Sequence, residues 1–248
     1  MASKTIRGVI FDLFGTLIEN LDYYEFEDAL SKIAELLSVS QRDFARCWND
    51  TWDKRSTGFF ATLEADIEHV SRLLNAQPRA QVLSEAARIL QSFAQQVLGR
   101  TRDDALQTLI ILKAAGYKTG LISNCAANIP SVWEKGPLAR LIDVPIFSCS
   151  IGLKKPNPEV YAIACRKLAL SQEKCIYIAD GNERELTGAS QAGLHVVLFN
   201  GPDVDPYDKG LDRQDWTGLA ISRLSQMIDI LGQSNSHYPI NAKALLEM

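Results

Sequence analysis

The sequence predicts an α/β protein: a Rossmann-like doubly wound parallel sheet core carrying an inserted all-helical cap domain. Short apolar runs alternate with helical patterns over most of its 248 residues, and proline and glycine punctuate the helices. The alternation then stops between Leu17 and Gly99, where only helical periodicity remains.

In chain order, strands are expected at residues 6–11, 118–122, 144–148, 175–179 and 195–199, with core helices at 103–115, 158–168, 183–192 and 215–231. The first run, ending Val9-Ile10-Phe11, reads as a buried parallel strand. Pro158 suits a first helical turn, while Gly116 and Gly193 suit helix ends that need a left-handed residue. Within the insertion, helices are expected at 23–37, 41–54, 62–75 and 79–98. Leu30, Ile33, Leu36 and Leu37 recur at helical spacing, as do Val82, Ala86, Ile89, Leu90 and Phe93, and both stripes read as bundle core. These patterns divide the chain into a core of residues 1–17 and 100–231, a cap of 18–99 and a polar tail of 232–248.

Composition narrows the function. A hydrophobic content of 46% supports a substantial buried core, and a net charge of −4 with dispersed Lys and Arg gives no footprint for nucleic acid. Five cysteines without a Cys-x-x-Cys pair or zinc-like spacing read as reduced thiols. Cys165 and Cys175 lie in apolar surroundings, and Cys125 follows the Ser123-Asn124 pair. No charged lead with an apolar core and no membrane-length stretch is present, so a cytoplasmic location without a membrane partner is expected.

Four segments, each following a strand-like run, carry the chemistry. Asp12 leads into Leu13-Phe14-Gly15-Thr16. Gly120-Leu121-Ile122 leads into Ser123-Asn124. Gly152-Leu153-Lys154 leads into Lys155-Pro156. Cys175–Ala179 leads into Asp180-Gly181. Each alone is ordinary turn chemistry, but in open parallel sheets ligands collect beyond the strands' carboxyl ends. With all four in this order, from Ile6 to about Phe199, the chain resembles the haloacid dehalogenase-like (HAD) hydrolase superfamily of the helical-cap type.

That resemblance implies an aspartate nucleophile at Asp12 that forms a covalent ester later cleaved by water. Asp180 would bind Mg²⁺ together with Asp12 and the Phe14 main-chain carbonyl, with Glu185 in support, unless Glu185 simply caps the following helix. Lys155 matches the family's Gly-x-x-Lys-Pro lysine, which leaves Lys154 pointing outward, and Ser123 matches the hydroxyl that holds the transferring group. Asn124 and Thr16 are further hydrogen-bonding candidates near the substrate, and Thr16 reads equally as a turn hydroxyl.

Phe14 departs from the pattern, because phosphatases of the superfamily usually place a second aspartate there as general acid. Without it three readings stand: a substrate with a good leaving group, an acid supplied by the cap, or chemistry whose leaving group needs no proton. The last is 2-haloacid dehalogenation, whose enzymes carry an aromatic-Gly-Thr turn. Tyr161 and Asn182 also fall where those enzymes have tyrosine and asparagine, whereas Asp180-Gly181 stands where they have serines around a metal-free site. Mg²⁺-dependent hydrolysis of a small phosphorylated metabolite is therefore the first expectation. A dehalogenase is the alternative, and a weakly catalytic binding module a third. The cap should select a small anion through Arg55 in preference to Arg46, with Trp48, Trp52 and Phe59 as cavity wall or cap filling. No role is expected for His69, His195 or His237, and the oligomeric state is left open.

Overall fold

The computed structural model describes residues 5–202, 212, 213 and 215–234. Its core is a six-stranded, wholly parallel sheet of β1 (Gly8–Phe11), β2 (Lys118–Ser123), β3 (Val144–Phe147), β4 (Cys175–Ala179), β5 (His195–Phe199) and β6 (Ala220–Ile221), in the order β3-β2-β1-β4-β5-β6. Alternate side chains enter opposite layers. Val9, Phe11, Ile176, Ile178, Val197 and Phe199 pack with helices Ala105–Ala114 and Gln226–Ser234, while Ile10, Tyr177 and Leu198 pack with helices Pro158–Lys167 and Glu185–Gln191.

From central β1 the chain moves outward through β2 to β3, then crosses back to β4 and continues the other way. Such a reversal opens a crevice at the strand ends between β1 and β4. The register aligns those ends: Phe11 lies opposite both Leu121 and Ile178, and the Asp12 N–H donates to the Ile178 carbonyl at 2.9 Å.

The expected helix over 215–231 is a correction. Its first part instead forms β6, where the Leu198 and Asn200 N–H groups donate to the Leu219 and Ile221 carbonyls at 3.0 and 2.7 Å. The free edge of β5 needed backbone partners, which outweighed helical periodicity that persists only from Gln226. Most of the expected tail, residues 235–248, lies outside the described residues, as does His237.

The insertion folds as Tyr23–Leu36, Gln41–Asp50, Trp52–Ser56, Leu63–Leu73 and Ala80–Leu98. Side-chain caps set three starts: Asp22 accepts from the Tyr24 and Glu25 N–H groups, Ser40 from Asp43, and Thr62 from Ala65. The stretch expected as one helix over 41–54 breaks at Thr51. Leu30, Ile33, Phe44, Trp48, Ile67, Val70, Ala86 and Leu90 belong to a separate cap cluster. The last cap helix is shared, because Ala94, Val97 and Leu98 at its end join the core of the sheet domain. The two connections run side by side, with Ile18 bridged to Thr101 and the Glu19 N–H donating to the Arg100 carbonyl at 3.0 Å.

Asp66 is buried in the cap with neither carboxylate oxygen hydrogen-bonded. Burial pushes its carboxyl up to about 7, with partial relief from the Arg55 charge. The folded cap therefore holds a proton there that an unfolded chain releases near pH 4, so this site weakens the fold as pH rises from about 4 to about 7. Asp66→Asn is expected to match the native protein's melting temperature near pH 4 and to exceed it above pH 7. Thermal denaturation across that range checks this, and parallel curves would contradict the assignment.

Candidate active site

Four loops meet above the crevice. Asp12 is delivered by β1, Ser123 and Asn124 by β2, Lys155 by the loop after β3, and Asp180 to Glu185 by the loop after β4. All but Asn124 and the middle of the last loop are buried.

The centre is a charge cluster around the Lys155 ammonium, which ion-pairs with Asp12 Oδ1 and, at 2.5 Å, with Glu185 Oε2. It also donates to the Tyr177 hydroxyl at 3.1 Å, which in turn donates to Glu185 Oε2 at 2.6 Å. Glu185 Oε1 accepts from the Gly181 N–H at 3.1 Å, so both of its oxygens are engaged. By contrast, Asp12 Oδ2 is buried without a hydrogen-bond partner. Asp12, Asp180 and Glu185 each present an oxygen within 4.8 Å of the others. Asn182 donates to Asp180 Oδ2 at 2.7 Å, and Arg213 grips the Asp180 main-chain carbonyl at 2.6 and 3.0 Å.

Three carboxylates against the Lys155 ammonium and the Arg213 guanidinium, 3.7 Å from Asp180 Oδ2, still leave negative charge in excess. Burial, outweighing the pull of Lys155 and reinforced by Glu185, lifts the Asp12 carboxyl to about 7. Burial first, then Glu185 and Asp12, raise Asp180 well above the ordinary carboxylate range. Burial works against the charge on Lys155, but its acid partners outweigh it and hold the ammonium firmly protonated.

A cavity of about 810 Å³ opens from Asp12 toward the cap. Phe14, Asn124, Lys155, Asp180, Asn182 and Glu185 form its floor side, and Trp48, Trp52, Arg55, Leu90 and Phe93 line its cap side. Arg55 is buried, with its guanidinium 4.0 Å from the Trp48 ring centroid and 5.4 Å from that of Trp52, and it donates to the Trp48 carbonyl at 2.5 Å. Burial lowers it to about 10, so it remains a cation at neutral pH. Among the described residues it has no ion-pair partner within 4.0 Å.

Several candidates stand elsewhere than the sequence placed them. Tyr161 is fully buried outside the cavity lining, and its hydroxyl donates to the Glu185 main-chain carbonyl at 2.8 Å, because helix Pro158–Lys167 packs behind the acidic loop. Thr16 and Ser123 are likewise fully buried and do not line the cavity. Arg46 is exposed and paired with Asp43, and Phe59 is exposed. Lys154 leaves the site as expected, but bridges to Asp53 of the cap at 2.5 Å. The helix expected from Glu183 begins at Glu185, because Glu183 and Arg184 are both left-handed, with φ of 50° and 58°.

Four residues were missed. Tyr177 carried a signal: a tyrosine inside a buried strand needs a partner for its hydroxyl. Arg102, which donates to the Gly15 and Thr16 carbonyls at 2.8 Å, and Arg213 gave none. Nor did Glu183, which accepts from Asn124 Nδ2 and, at 3.1 Å, from Trp52 Nε1 across the cavity.

The haloacid dehalogenase-like hydrolase family model matches residues 6–193, most of the chain and all of the site just described except Arg213. The chain belongs to this family. It is therefore a hydrolase. (S)-2-Haloacid dehalogenase 4A of Burkholderia cepacia is 24% identical over 203 residues, covering 79% of this chain and 84% of that protein. Glyceraldehyde 3-phosphate phosphatase of Methanopyrus kandleri is 28% identical over 133 residues, covering 52% of this chain and 55% of the phosphatase. The same fold occurs in the 2-haloacid dehalogenase of Pseudomonas syringae pv. tomato, with TM-score 0.71, 23% identity and coverage of 92% and 99% of the two chains. No helix among the described residues is long and apolar enough to cross a membrane.

Gly15 shows how closely this HAD-like site is built. Its φ is +80°, and a Cβ there would lie 2.3 Å from Asp180 Oδ2 and 2.5 Å from Asn20 Oδ1. Gly15→Ala must displace the Asp180 carboxylate, so turnover is expected to fall by ~10²-fold or more while melting stays cooperative. Kinetics beside a melting curve check this, and unchanged turnover would show that the spacing between the Asp12 turn and Asp180 does not matter.

Proposed function

We propose that this HAD-like hydrolase is a Mg²⁺-dependent phosphatase acting on a small phosphorylated metabolite. The observation that carries the reading is the buried trio of Asp12, Asp180 and Glu185, whose negative charge Lys155 and Arg213 together do not balance. The donors fit the ion. All are hard carboxylate oxygens, and Asp12 Oδ2 has no other partner. Asp12, Asp180 and the Phe14 main-chain carbonyl would hold the ion, with Glu185 orienting Lys155 and the loop from behind. When bound, the ion would offset the charge repulsion as a phosphate approaches a carboxylate.

Lys155 holds the Asp12 carboxylate through Oδ1 for attack on phosphorus. The Asp12 O–P bond forms as the ester P–O bond breaks, and water then cleaves the aspartyl phosphate to release phosphate. Asn124 serves the phosphoryl group, Asn182 steadies Asp180, and Arg55 receives an anionic part of the substrate against its aromatic wall. Phe14 offers no proton to the departing oxygen, so the reading favours substrates whose leaving group is already acidic, such as acyl phosphates. A cytoplasmic setting belongs to the same reading, supported by five cysteines held as free thiols.

A second reading is 2-haloacid dehalogenation. Phe14 supports it, as does the longer alignment with the Burkholderia dehalogenase. There Asp12 would attack carbon as halide leaves, and halide needs no proton.

Phosphate release from phosphomonoesters and acyl phosphates, with and without Mg²⁺, separates the two readings. Mg²⁺-dependent release that Asp12→Asn abolishes is expected. Halide release from 2-haloacids without metal, and no phosphate release, would replace this reading with the second. If leaving-group protonation limits the enzyme, Phe14→Asp is expected to raise turnover of alkyl phosphates by ~10²-fold or more, with little change for acyl phosphates. A folded variant without that selective gain would remove the leaving-group account.

A further inference from the structure

Neither hydrolytic reading uses a neighbouring pair of thiols, one of which lines the cavity. Cys125 is buried and lines the cavity two residues beyond Ser123, and Cys149 is partly exposed two residues beyond Phe147. Ser123 and Phe147 are the last paired residues of β2 and β3. Parallel neighbours sit about 4.8 Å apart, within the roughly 4.4–6.8 Å between Cα atoms that a disulfide spans. Contacts past the strand ends keep the two loops together, since the Cys125 N–H donates to Ser148 Oγ at 2.9 Å and Cys149 Sγ donates to the Ala126 carbonyl at 3.5 Å. The two sulfurs are 3.8 Å apart.

We propose that Cys125 and Cys149 are an oxidation site, forming a reversible disulfide at the cavity wall when the protein meets a peroxide.

The roles differ with surroundings. The Cys125 thiol, hydrogen-bonded to Cys149, brings Cys149 down to about 7, whereas burial raises Cys125 well above the usual thiol range. Cys149 is then the attacking thiolate and Cys125 the resolving thiol. Cys149 sulfur attacks one peroxide oxygen, the O–O bond breaks, and hydroxide leaves to become water by taking a proton. Cys125 sulfur attacks the resulting sulfenic acid, the S–S bond forms, and a second water departs. Two thiols are oxidised by two electrons, and one peroxide is reduced to two waters.

A second thiol pair supplies an internal contrast. Cys165 and Cys175 also hydrogen-bond to each other, but both are fully buried and line no cavity. Accessibility therefore selects the first pair. Its position would couple oxidation to the site. Asn124, beside Cys125, clasps the Lys155 main chain through its N–H at 2.9 Å and its carbonyl at 3.1 Å. The Cys149 carbonyl lies directly beneath Gly58 of the cap, where a Cβ would come within 1.9 Å of it.

The test is peptide mapping of the full-length protein after graded hydrogen peroxide, alkylation of remaining thiols and digestion without reductant. The expected product joins the peptides holding Cys125 and Cys149, with two hydrogens lost and two of the five thiols consumed. Dithiothreitol should restore both thiols. The product should disappear in Cys125→Ser and in Cys149→Ser and persist in Cys47→Ser, with melting curves confirming that each variant is folded. Cys149 accumulating as sulfinic acid beside a reduced Cys125 would overturn the proposal. So would cross-links through Cys165 or Cys175 instead, or five intact thiols in excess oxidant.

Discussion

The Lys155 ammonium holds the site together, because it is the one charge to which three separately derived parts of the chain are tied. Asp12 comes from the end of β1, Glu185 from the helix after β4, and Tyr177 from within β4 itself. Burying these groups carries a large desolvation cost, which is recovered only when the geometry is good and the remaining hydrogen bonds are made. The surroundings meet that condition. Tyr161 fixes the Glu185 main chain, the Gly181 N–H takes the other Glu185 oxygen, and Asn124 holds Lys155 by both of its main-chain groups. Asp12 Oδ2 is left over without a hydrogen-bond partner.

The same constraint explains why the cluster leans toward a cation. With Lys155 and Arg213 facing three acids, the remaining charge is met either by protons, which the raised carboxyls of Asp12 and Asp180 would hold, or by a metal. In the proposed phosphatase reading, a proton on Asp12 would blunt the nucleophile, whereas a divalent ion would keep it anionic and meet an incoming phosphate as well.

Across the cavity, the cap is joined to the catalytic loops by polar contacts and not only by apolar packing. Trp52 donates to Glu183, which also accepts from Asn124, and Asp53 pairs with Lys154. Glu183 reaches that position because it and Arg184 adopt left-handed conformations that non-glycine residues occupy at a cost. Arg55 is stacked against two indoles, which fixes its planar cation over the cavity with little freedom left to lose on binding.

Much of this was legible in the sequence. Local patterns determined the five main strands and the helical insertion, since hydrophobic periodicity and turn residues act over a few neighbours. Four ordered motifs also marked Asp12, Asn124, Lys155, Asp180 and Glu185, because a parallel sheet gathers its strand ends on one side whatever lies between them. Edge pairing, side-chain depth and long-range hydrogen bonding were settled only by tertiary structure. They turned part of 215–231 into β6, moved Tyr161, Thr16 and Ser123 below the cavity surface, and brought Tyr177, Glu183, Arg102 and Arg213 to the site. Those outcomes depend on which groups meet across sheet layers and between cap and core. The sequence alone does not express distances between segments a hundred residues apart, and the folded chain decides them through packing and the need to pair buried polar groups.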